Sequence, residues 1–204
     1  KMFDKYAKKN KKKKDSYFVK KAMQEVAACD LAQILTSTPD KSITVIHLDS
    51  TVNSKVSEYA PMQVDSLLYF SSLRDAKDRD KKNNVNYNKI YKSADLSLDE
   101  GKCQKSKELD TLFNQQGIHT DNTAFNSDYT KVYISRCQQK NAQEFNCEIY
   151  SSEYKDGHWQ TLKKLPDDIN AKGYTNTQPA TGFLGDDEVL FFSSNRPGGE
   201  GQMD

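Results

Sequence analysis

A short apolar strand pattern occurs three times along the chain, and each copy ends abruptly in polar residues. The clearest copy, 187–194, places Val, Leu and Phe side by side before two serines, as in a strand that is buried on both faces. A similar run covers 66–72, and a weaker copy covers 130–136. A strand that recurs in this way predicts a repeat protein.

A small polar segment precedes each of these strands, at 52–61, 118–125 and 169–180. The repeated unit is therefore rich in β-structure, which excludes a solenoid of helical hairpins. A four-stranded propeller blade needs roughly 40–50 residues, and two polar insertions, 75–88 and 138–146, explain the longer spacing here. The pattern predicts part of a β-propeller, with three blades of four-stranded antiparallel sheet.

A helical pattern occupies the start of the chain, before the repeats. Apolar residues from Phe18 to Leu35 recur at helical spacing after Asp15 and Ser16, either of which can cap a helix. Pro39 ends the helix, because the residue before a proline avoids the α conformation. A helix this apolar on one face must bury that face, either on the propeller or on helices that precede it.

These patterns divide the chain into two parts. Residues 1–40 form a basic, helical part, and residues 41–204 form the partial propeller. Its blades are predicted at 41–100, 101–165 and 166–204. Three blades cannot close a ring, because propellers typically have 4–8 of them. We therefore expect the chain to be a piece of a longer protein that supplies further blades.

Three local patterns add detail to this division. Residues 43–48 alternate in polarity and predict the strand that enters the first blade. The β pattern is interrupted within 100–117, where apolar residues are expected on a short helix. Asp156-Gly157 is a strong signal for a two-residue hairpin, and Trp159 just after it is expected in the core between blades rather than in a ligand site.

The end of the third strand has a sequence specific enough to compare with a known family. Residues 195–204, Asn-Arg-Pro-Gly-Gly-x-Gly-x-x-Asp, follow a Leu-Phe-Phe-Ser-Ser strand and resemble the WD-repeat-like, TolB-like propeller of bacterial envelope proteins. The segment 52–61 leading into 68–74 matches the first blade of that arrangement. The second blade departs from it, with Arg136-Cys137 at the strand end. The positions of the repeat motif are Asn53, Pro61, Phe70, Asn170, Pro179, Phe192, Asn195, Arg196, Gly198, Gly199 and Asp204.

That resemblance spans roughly 43–204 and implies both a setting and a function. In this family the propeller often follows tetratricopeptide helices, of which 1–40 would be the end, and precedes an OmpA-like peptidoglycan-binding domain. A narrower resemblance is to the envelope subunits of the Bacteroidota type IX secretion machinery. The resemblance thus implies a non-enzymatic scaffold in the periplasm, associated with the outer membrane. Its partners would be envelope proteins, with peptidoglycan contacted through a further C-terminal domain.

The net charge of +1 conceals a strongly basic start. The lysine-rich run 8–14 either contacts anionic lipid, nucleic acid or an acidic partner, or is a solvated helix end, which we favour. Nucleic acid is not expected as a partner, because no aromatic residues are interleaved to stack on bases. The chain also has no apolar run of the ~18 residues from which a membrane-spanning helix is inferred.

Two of the four cysteines flank one polar loop. Cys137 ends a predicted strand and Cys147 begins the next, which places them opposite each other within the roughly 4.4–6.8 Å between Cα atoms that a disulfide needs. We predict a Cys137–Cys147 disulfide, which implies an oxidising compartment. The alternative is two free buried thiols. The pairing of Cys29 and Cys103 stays open, and the cysteine spacing does not fit a zinc site.

Catalytic motifs are not found in the sequence, and neither enzyme activity nor a cofactor is expected. The three histidines, His47, His119 and His158, have no nucleophile spaced beside them. Asp204 either helps to hold calcium or accepts N–H groups of its own glycine-rich loop, and we favour the loop. The alternative to a scaffold is a sugar- or small-ligand-binding, or hydrolytic, propeller whose site is completed by blades absent from this chain.

Overall fold

The computed structural model describes most of the chain, and in it the chain divides into two compact units, Lys1–Val45 and Ile46–Asp204. The described residues are 1–14, 16–74, 86–97, 99–141, 144–201 and 203–204. Most of the charged insertion predicted at 75–88 and the capping candidate Asp15 lie outside them. The unit boundary falls a few residues beyond the predicted one at 40/41.

The N-terminal unit consists of helices, as the sequence predicts. Helix α1 (Met2–Lys9) is followed by a 3₁₀ turn (Lys11–Lys13) and by α2 (Tyr17–Ser37). Ser16 occupies the N-cap position of α2 without a side-chain hydrogen bond, and the Thr38 N–H bonds to the Ile34 carbonyl at the other end. The lysine-rich run thus forms the end of α1 and the turn between the helices.

Most of the apolar surface of α2 is exposed, which differs from the prediction. Val19 and Ala22 are buried, whereas Phe18, Leu31 and Ile34 are each more than half exposed. The reason is length, since α1 spans about 12 Å and α2 about 31 Å at 1.5 Å per residue. Helix α1 packs against α2 but can cover only part of it.

The second unit is built from three successive antiparallel sheets, joined in chain order. The first sheet has the order β1 (Glu58–Val64), β2 (Leu67–Ser72), β3 (Lys89–Ser93) and β4 (Lys107–Glu108). The second contains β5 (His119–Phe125), β6 (Lys131–Gln139), β7 (Phe145–Lys155), β8 (His158–Trp159) and β9 (Lys163–Lys164), with β8 and β9 both paired to β7. The third contains β10 (Asn176–Leu184) and β11 (Asp187–Ser194). The prediction of a mainly β chain with an N-terminal helix is confirmed.

The first sheet reaches Glu108, eight residues beyond the rough end predicted for the first blade. The predicted helix within 100–117 is wrong. The Asp110 side chain accepts the Leu112 N–H at 3.0 Å, and its carbonyl accepts the Asn114 N–H at 2.9 Å. An aspartate that bonds to the backbone two residues on favours a turn over a longer helix.

The strand predicted at 43–48 is likewise wrong, since these described residues have no strand pairing. Val45 is 90% exposed. The Asp49 N–H instead bonds to the Gly101 carbonyl at 3.0 Å. Gly101 has a φ of +64°, and a Cβ there would collide with the Ile46 side chain and the His47 carbonyl. This glycine allows the loop before β4 to lie against the segment that enters the first sheet.

A shared core joins the first and second sheets. Alternation along β2 and β3 directs Tyr69 and Ile90 to this core, while Leu68, Phe70 and Tyr91 form a separate cluster on the opposite face of the first sheet. The buried members of the shared core are Val64, Tyr69, Ile90, Phe113, Phe125, Val132 and Ile134. The hydrophobic packing of one sheet on the next therefore follows from the period-2 pattern of the strands.

Two features near the strand ends complete the second unit. The predicted hairpin is present, since Asp156 and Gly157 both have positive φ values, 54° and 81°, between the paired residues Lys155 and His158.

Strand β11, in contrast to the prediction, is not buried on both faces, and Phe191 is 47% exposed. Within the described residues β11 has a partner strand on one side only, β10.

Candidate functional site

The first hairpin of every sheet contains a bulge at the same place. Each bulge centres on a non-glycine residue with positive φ: Ala60 at 51°, Asn122 at 54° and Gln178 at 54°. A proline, Pro61 or Pro179, follows the bulge in the first and third sheets. Proline is tolerated there because a bulge leaves one backbone group out of the ladder. The bulge therefore aligns the three repeats residue by residue.

The bulge also connects each sheet to the one before it. The Asn122 N–H of the second sheet donates to Ser71 Oγ of the first at 3.1 Å, and the Gln178 N–H of the third donates to Ser135 Oγ of the second at 3.2 Å. Both serines are fully buried. The serine that ends each predicted strand thus satisfies a backbone donor that the bulge leaves unpaired.

An asparagine in the segment before each sheet forms a second repeated contact. Asn170 Oδ1 accepts the Ile149 N–H at 2.7 Å, and its amide donates to the carbonyls of Ile149 and Leu165. Asn114 makes the same three bonds to Ile90 and Leu109. These side chains continue the pairing along β3 and β7 where the short strands β4 and β9 end.

Asn53 occupies the same position before the first sheet. Its amide donates to the Leu48 carbonyl, five residues earlier, as Asn114 and Asn170 donate to Leu109 and Leu165. The spacing Leu-x₄-Asn is therefore common to all three repeats. This spacing identifies Asn114 as the equivalent of Asn53 and Asn170. The sequence comparison did not find it, because it aligned 118–125 with the other two polar segments.

An arginine locks each of these segments onto its sheet. In the first sheet Arg74 donates to the carbonyls of Thr51 and Val52 and to Glu58 Oε1 at 3.0 Å, and its guanidinium stacks 4.8 Å from the Phe70 ring. Burial alone would raise the pKa of Glu58. Hydrogen bonds from Ser54, Ser72 and Arg74 outweigh burial, so the pKa is lowered.

Arg196 repeats this arrangement in the third sheet. It donates to the carbonyls of Asp168 and Ile169 and to Asn176 Oδ1, and it stacks 5.1 Å from the Phe192 ring. The motif residues Phe192 and Arg196 are therefore structural partners, as Phe70 and Arg74 are in the first sheet. The planar guanidinium group of an arginine can form several hydrogen bonds and stack on a ring at the same time.

In the second sheet the same contact is made by Arg136, which lies two residues earlier in its strand. Register equates Arg136 with Ser72 and Ser194, yet its guanidinium reaches the carbonyls of Leu112 and Phe113 at 2.8 and 3.1 Å. Burial lowers the pKa of Arg136. The sequence departure at Arg136-Cys137 therefore keeps the contact, but the arginine that makes it lies two positions earlier in the strand.

The glycine-rich loop after β11 folds back on itself. Asp204 pairs with Ser194 through both backbone groups, and its carboxylate accepts the Gly201 N–H at 3.0 Å. Gly198 has a φ of +107°, and a Cβ on Gly199 would collide with the Asp204 carboxylate. Asn195 Oδ1 accepts the Thr175 N–H at 2.7 Å. Asp204 thus bonds to its own loop, as we favoured from the sequence.

A buried polar cluster lies where β1 and β5 meet. Asp121 accepts hydrogen bonds from Tyr59 at 3.1 Å, Asn88 at 3.2 Å and Asn122 at 2.7 Å. Burial raises the pKa of Asp121, and burial together with the nearby Asp121 charge raises the pKa of Tyr59. These groups bond to one another across the sheet junction, so the cluster joins the first and second sheets.

His119 lies beside this cluster. Its Nδ1 accepts the Asn88 N–H at 3.1 Å, and its ring packs edge-on against Tyr87 and Phe145. Burial, with a smaller contribution from Lys89, lowers the pKa of His119. The histidine is thus held in the neutral form, with Nδ1 as an acceptor. His47 and His158 lie apart from it, in the entry segment and after the Asp156 turn.

The cysteines at the end of β6 and the start of β7 are direct neighbours. Cys137 and Cys147 are cross-strand partners with a Cα separation of 4.0 Å, and their sulfurs lie at bonding distance. The predicted pair is therefore present. Cys29 is an exposed free thiol, and Cys103 is a half-buried one.

No protein-family model, curated protein or solved structure matches this chain. Among the residues that the structure describes, His, Cys, Asp and Glu side chains form no group of three or more that could hold a metal ion. Likewise, none of the described helices is both long and apolar enough to cross a membrane.

Proposed function

We propose that this chain is a repeat scaffold for other proteins, with its three sheets as successive blades of a β-propeller. It acts without catalysis, in the periplasm, as part of an outer-membrane-associated secretion complex of the type IX kind. The observation that supports the scaffold most directly is the repeated junction. The polar groups of the motif bond to backbone between sheets, so they serve assembly of the platform.

Two features of the repeat favour blades of a propeller. Each sheet begins with the strand that contacts the sheet before it: β5 packs on β1 and β2, and β10 packs on β5 and β6. The first sheet is a four-stranded meander in sequential order. Stacked meanders of this kind make broad surfaces, which repeat proteins use to bind partners.

The proposed compartment rests on the cysteine pair and on the resemblance. Disulfides persist in oxidising environments such as the bacterial periplasm and are rare in the cytosol. The Cys137–Cys147 pair fits that rule. The secretion-complex partners rest on the resemblance of 195–204 to envelope propellers. The tetratricopeptide-like role of 1–40 and the peptidoglycan contact are part of the same proposal.

The outward face of the third sheet is a candidate partner surface. Phe191 and Ala180 are cross-strand neighbours on it, and Gly182 contacts the Phe191 ring. By strand alternation Leu184 lies on the same face, and it is 63% exposed. Exposed apolar residues that adjoin one another mark interaction sites more often than scattered ones do.

Co-purification from envelopes tests this function. The tagged full-length protein would be purified from mildly solubilised envelopes, and its partners identified and quantified by mass spectrometry. We expect stoichiometric recovery of outer-membrane or secretion proteins. Recovery of the protein alone, in mild detergent at low salt, would overturn the proposal.

A matched pair of variants locates the surface in the same experiment. The double variant Leu184→Ser/Phe191→Ser is expected to lose partners, because it removes exposed apolar contacts. The control Val45→Ser changes a residue that is 90% exposed and lies outside the sheets, and it should keep them. Equal recovery with both variants would assign the partner surface to another part of the chain.

A further inference from the structure

A cavity of about 280 Å³ opens between the first and second sheets. We call it the lysine groove. Its lining includes Tyr69, Lys92, Lys107, Thr123, Phe125 and Trp159, together with the acidic residues Glu108 and Asp110. Its walls come from different sheets, so its shape depends on the junction described above. Small-molecule sites are typically clefts with apolar walls and a few polar groups, of roughly 300–1,000 Å³. This groove is slightly smaller and would suit a small ligand.

One wall is a row of side chains that crosses three strands. Tyr69 of β2 is the cross-strand partner of Lys92 in β3, and Lys92 is the partner of Lys107 in β4. Tyr69 belongs to the core shared with the second sheet, so the row faces that sheet. The next pair along, Tyr91 and Glu108, lies on the opposite face by strand alternation, so Glu108 lines the groove from its edge. The Asp110 carboxylate, also in the lining, accepts the Leu112 N–H at 3.0 Å.

Two lysines from neighbouring strands therefore line the groove opposite each other. Like charges directly opposite each other on neighbouring strands destabilise a sheet. Within the described residues neither Lys92 nor Lys107 has an ion-pair partner. The lysine pair is thus a cost to folding that an anion at the rim would relieve.

The opposite wall is aromatic. Trp159 is half-buried and packs against the rings of Phe113, Phe125 and Tyr154, with centroid distances of 6.2, 5.8 and 5.1 Å. Thr123 also lines the groove, and it is only 7% exposed. Its Oγ1 is buried without a hydrogen-bond partner. A buried hydroxyl of this kind normally has a partner, and a ligand with an acceptor or donor would provide one.

We propose that the lysine groove binds a small organic anion, a carboxylate attached to a planar apolar group. The carboxylate lies between the ammonium groups of Lys92 and Lys107, and the planar group lies against Trp159. The lysines select the charge, and the aromatic wall selects the flat shape. This site lies between two sheets of the chain itself and is separate from the proposed partner surface.

Fluorescence of Trp159 tests the proposal, because the chain has a single tryptophan. The full chain would be titrated with phenylacetate and, in parallel, with the neutral analogue phenylacetamide. We expect a saturable change in emission with phenylacetate, and binding about tenfold weaker with phenylacetamide because the charge is lost. No saturable change, or equal affinity for the two compounds, would overturn the proposal.

Charge-removing variants identify the lysines. Lys92→Gln and Lys107→Gln should each weaken phenylacetate binding about fivefold, while Lys140→Gln, in the loop between β6 and β7, should bind like the wild type. Thr123→Val should weaken binding without altering the far-ultraviolet circular dichroism. Unchanged binding in both groove lysine variants would contradict the proposed site. Equal weakening in Lys140→Gln would also contradict it, because the effect would then come from the net charge of the chain.

Discussion

At the scale of single residues, the same chemical task recurs at non-equivalent positions. Arg74 and Arg196 lie two residues after the strand serine, whereas Arg136 replaces that serine and still reaches the carbonyls before its sheet. Sequence patterns could predict the first two, because their neighbours repeat as well. They could not predict the third, since a long side chain can reach one target from two places on a strand.

His119 makes stability depend on pH in a defined direction. Its Nδ1 accepts the Asn88 N–H, so protonation would break that bond. Burial lowers the pKa of His119 in the folded chain, whereas the unfolded value is about 6.5. As pH falls below about 6.5 the unfolded chain takes up the proton first, and stability decreases until the lowered folded pKa is reached.

Urea unfolding at pH 7.5 and pH 5.5 measures this effect. The wild type should lose stability between the two values, and His119→Asn, which keeps an acceptor but does not titrate, should lose less. The shifts of Glu58 and Asp121 act in opposite directions and are common to both proteins. The same pH dependence in the variant would exclude His119 as the cause.

At the scale of elements, the strands with strong alternation are predicted well and the short connections are not. Strand β2 and the Asp156-Gly157 hairpin follow from local sequence. Residues 43–48 alternate in the same way but form no strand, and Ile46 and His47 lie against the loop at Gly101 instead. Pairing partners are non-local, and a single-strand pattern does not contain them.

The cysteine pair stabilises the hairpin of β6 and β7. Its two residues are separated by 10 positions, for which loop-closure entropy gives about 2–3 kcal/mol. The variant Cys137→Ser/Cys147→Ser should therefore unfold at lower denaturant concentration by that amount. A reducing agent should lower the stability of the wild type and leave the variant unchanged. Equal stability of the wild type and the variant without reducing agent would show that the cross-link does not stabilise the chain.

At the scale of the whole molecule, the second unit is one junction used repeatedly. A bulge amide bonds to a serine of the preceding sheet, and an asparagine bonds to the backbone of an inner strand of that sheet, β3 or β7. The sequence shows the repeat because Asn53, Asn170 and the strand ends recur. It does not show how the sheets meet, because the bulge residues Ala60, Asn122 and Gln178 share no chemistry, only a backbone conformation.

That an asparagine holds the segment between two sheets on the preceding sheet is the claim on which the proposed scaffold depends. Amide hydrogen exchange at Ile149 tests it most directly, because its N–H donates to Asn170 Oδ1. We predict strong protection in the wild type. Asn170→Asp would set a carboxylate against two carbonyls, so protection of Ile149 should be lost while Ile90, bonded to Asn114, keeps its own.

Asn195→Asp is the matched control. Among the described residues, the one side-chain hydrogen bond of Asn195 is accepted by its Oδ1 from the Thr175 N–H, and aspartate keeps that acceptor. This variant should exchange like the wild type. Rapid exchange of Ile149 in the wild type, or protection that survives Asn170→Asp, would contradict the repeated junction and with it the scaffold built from it.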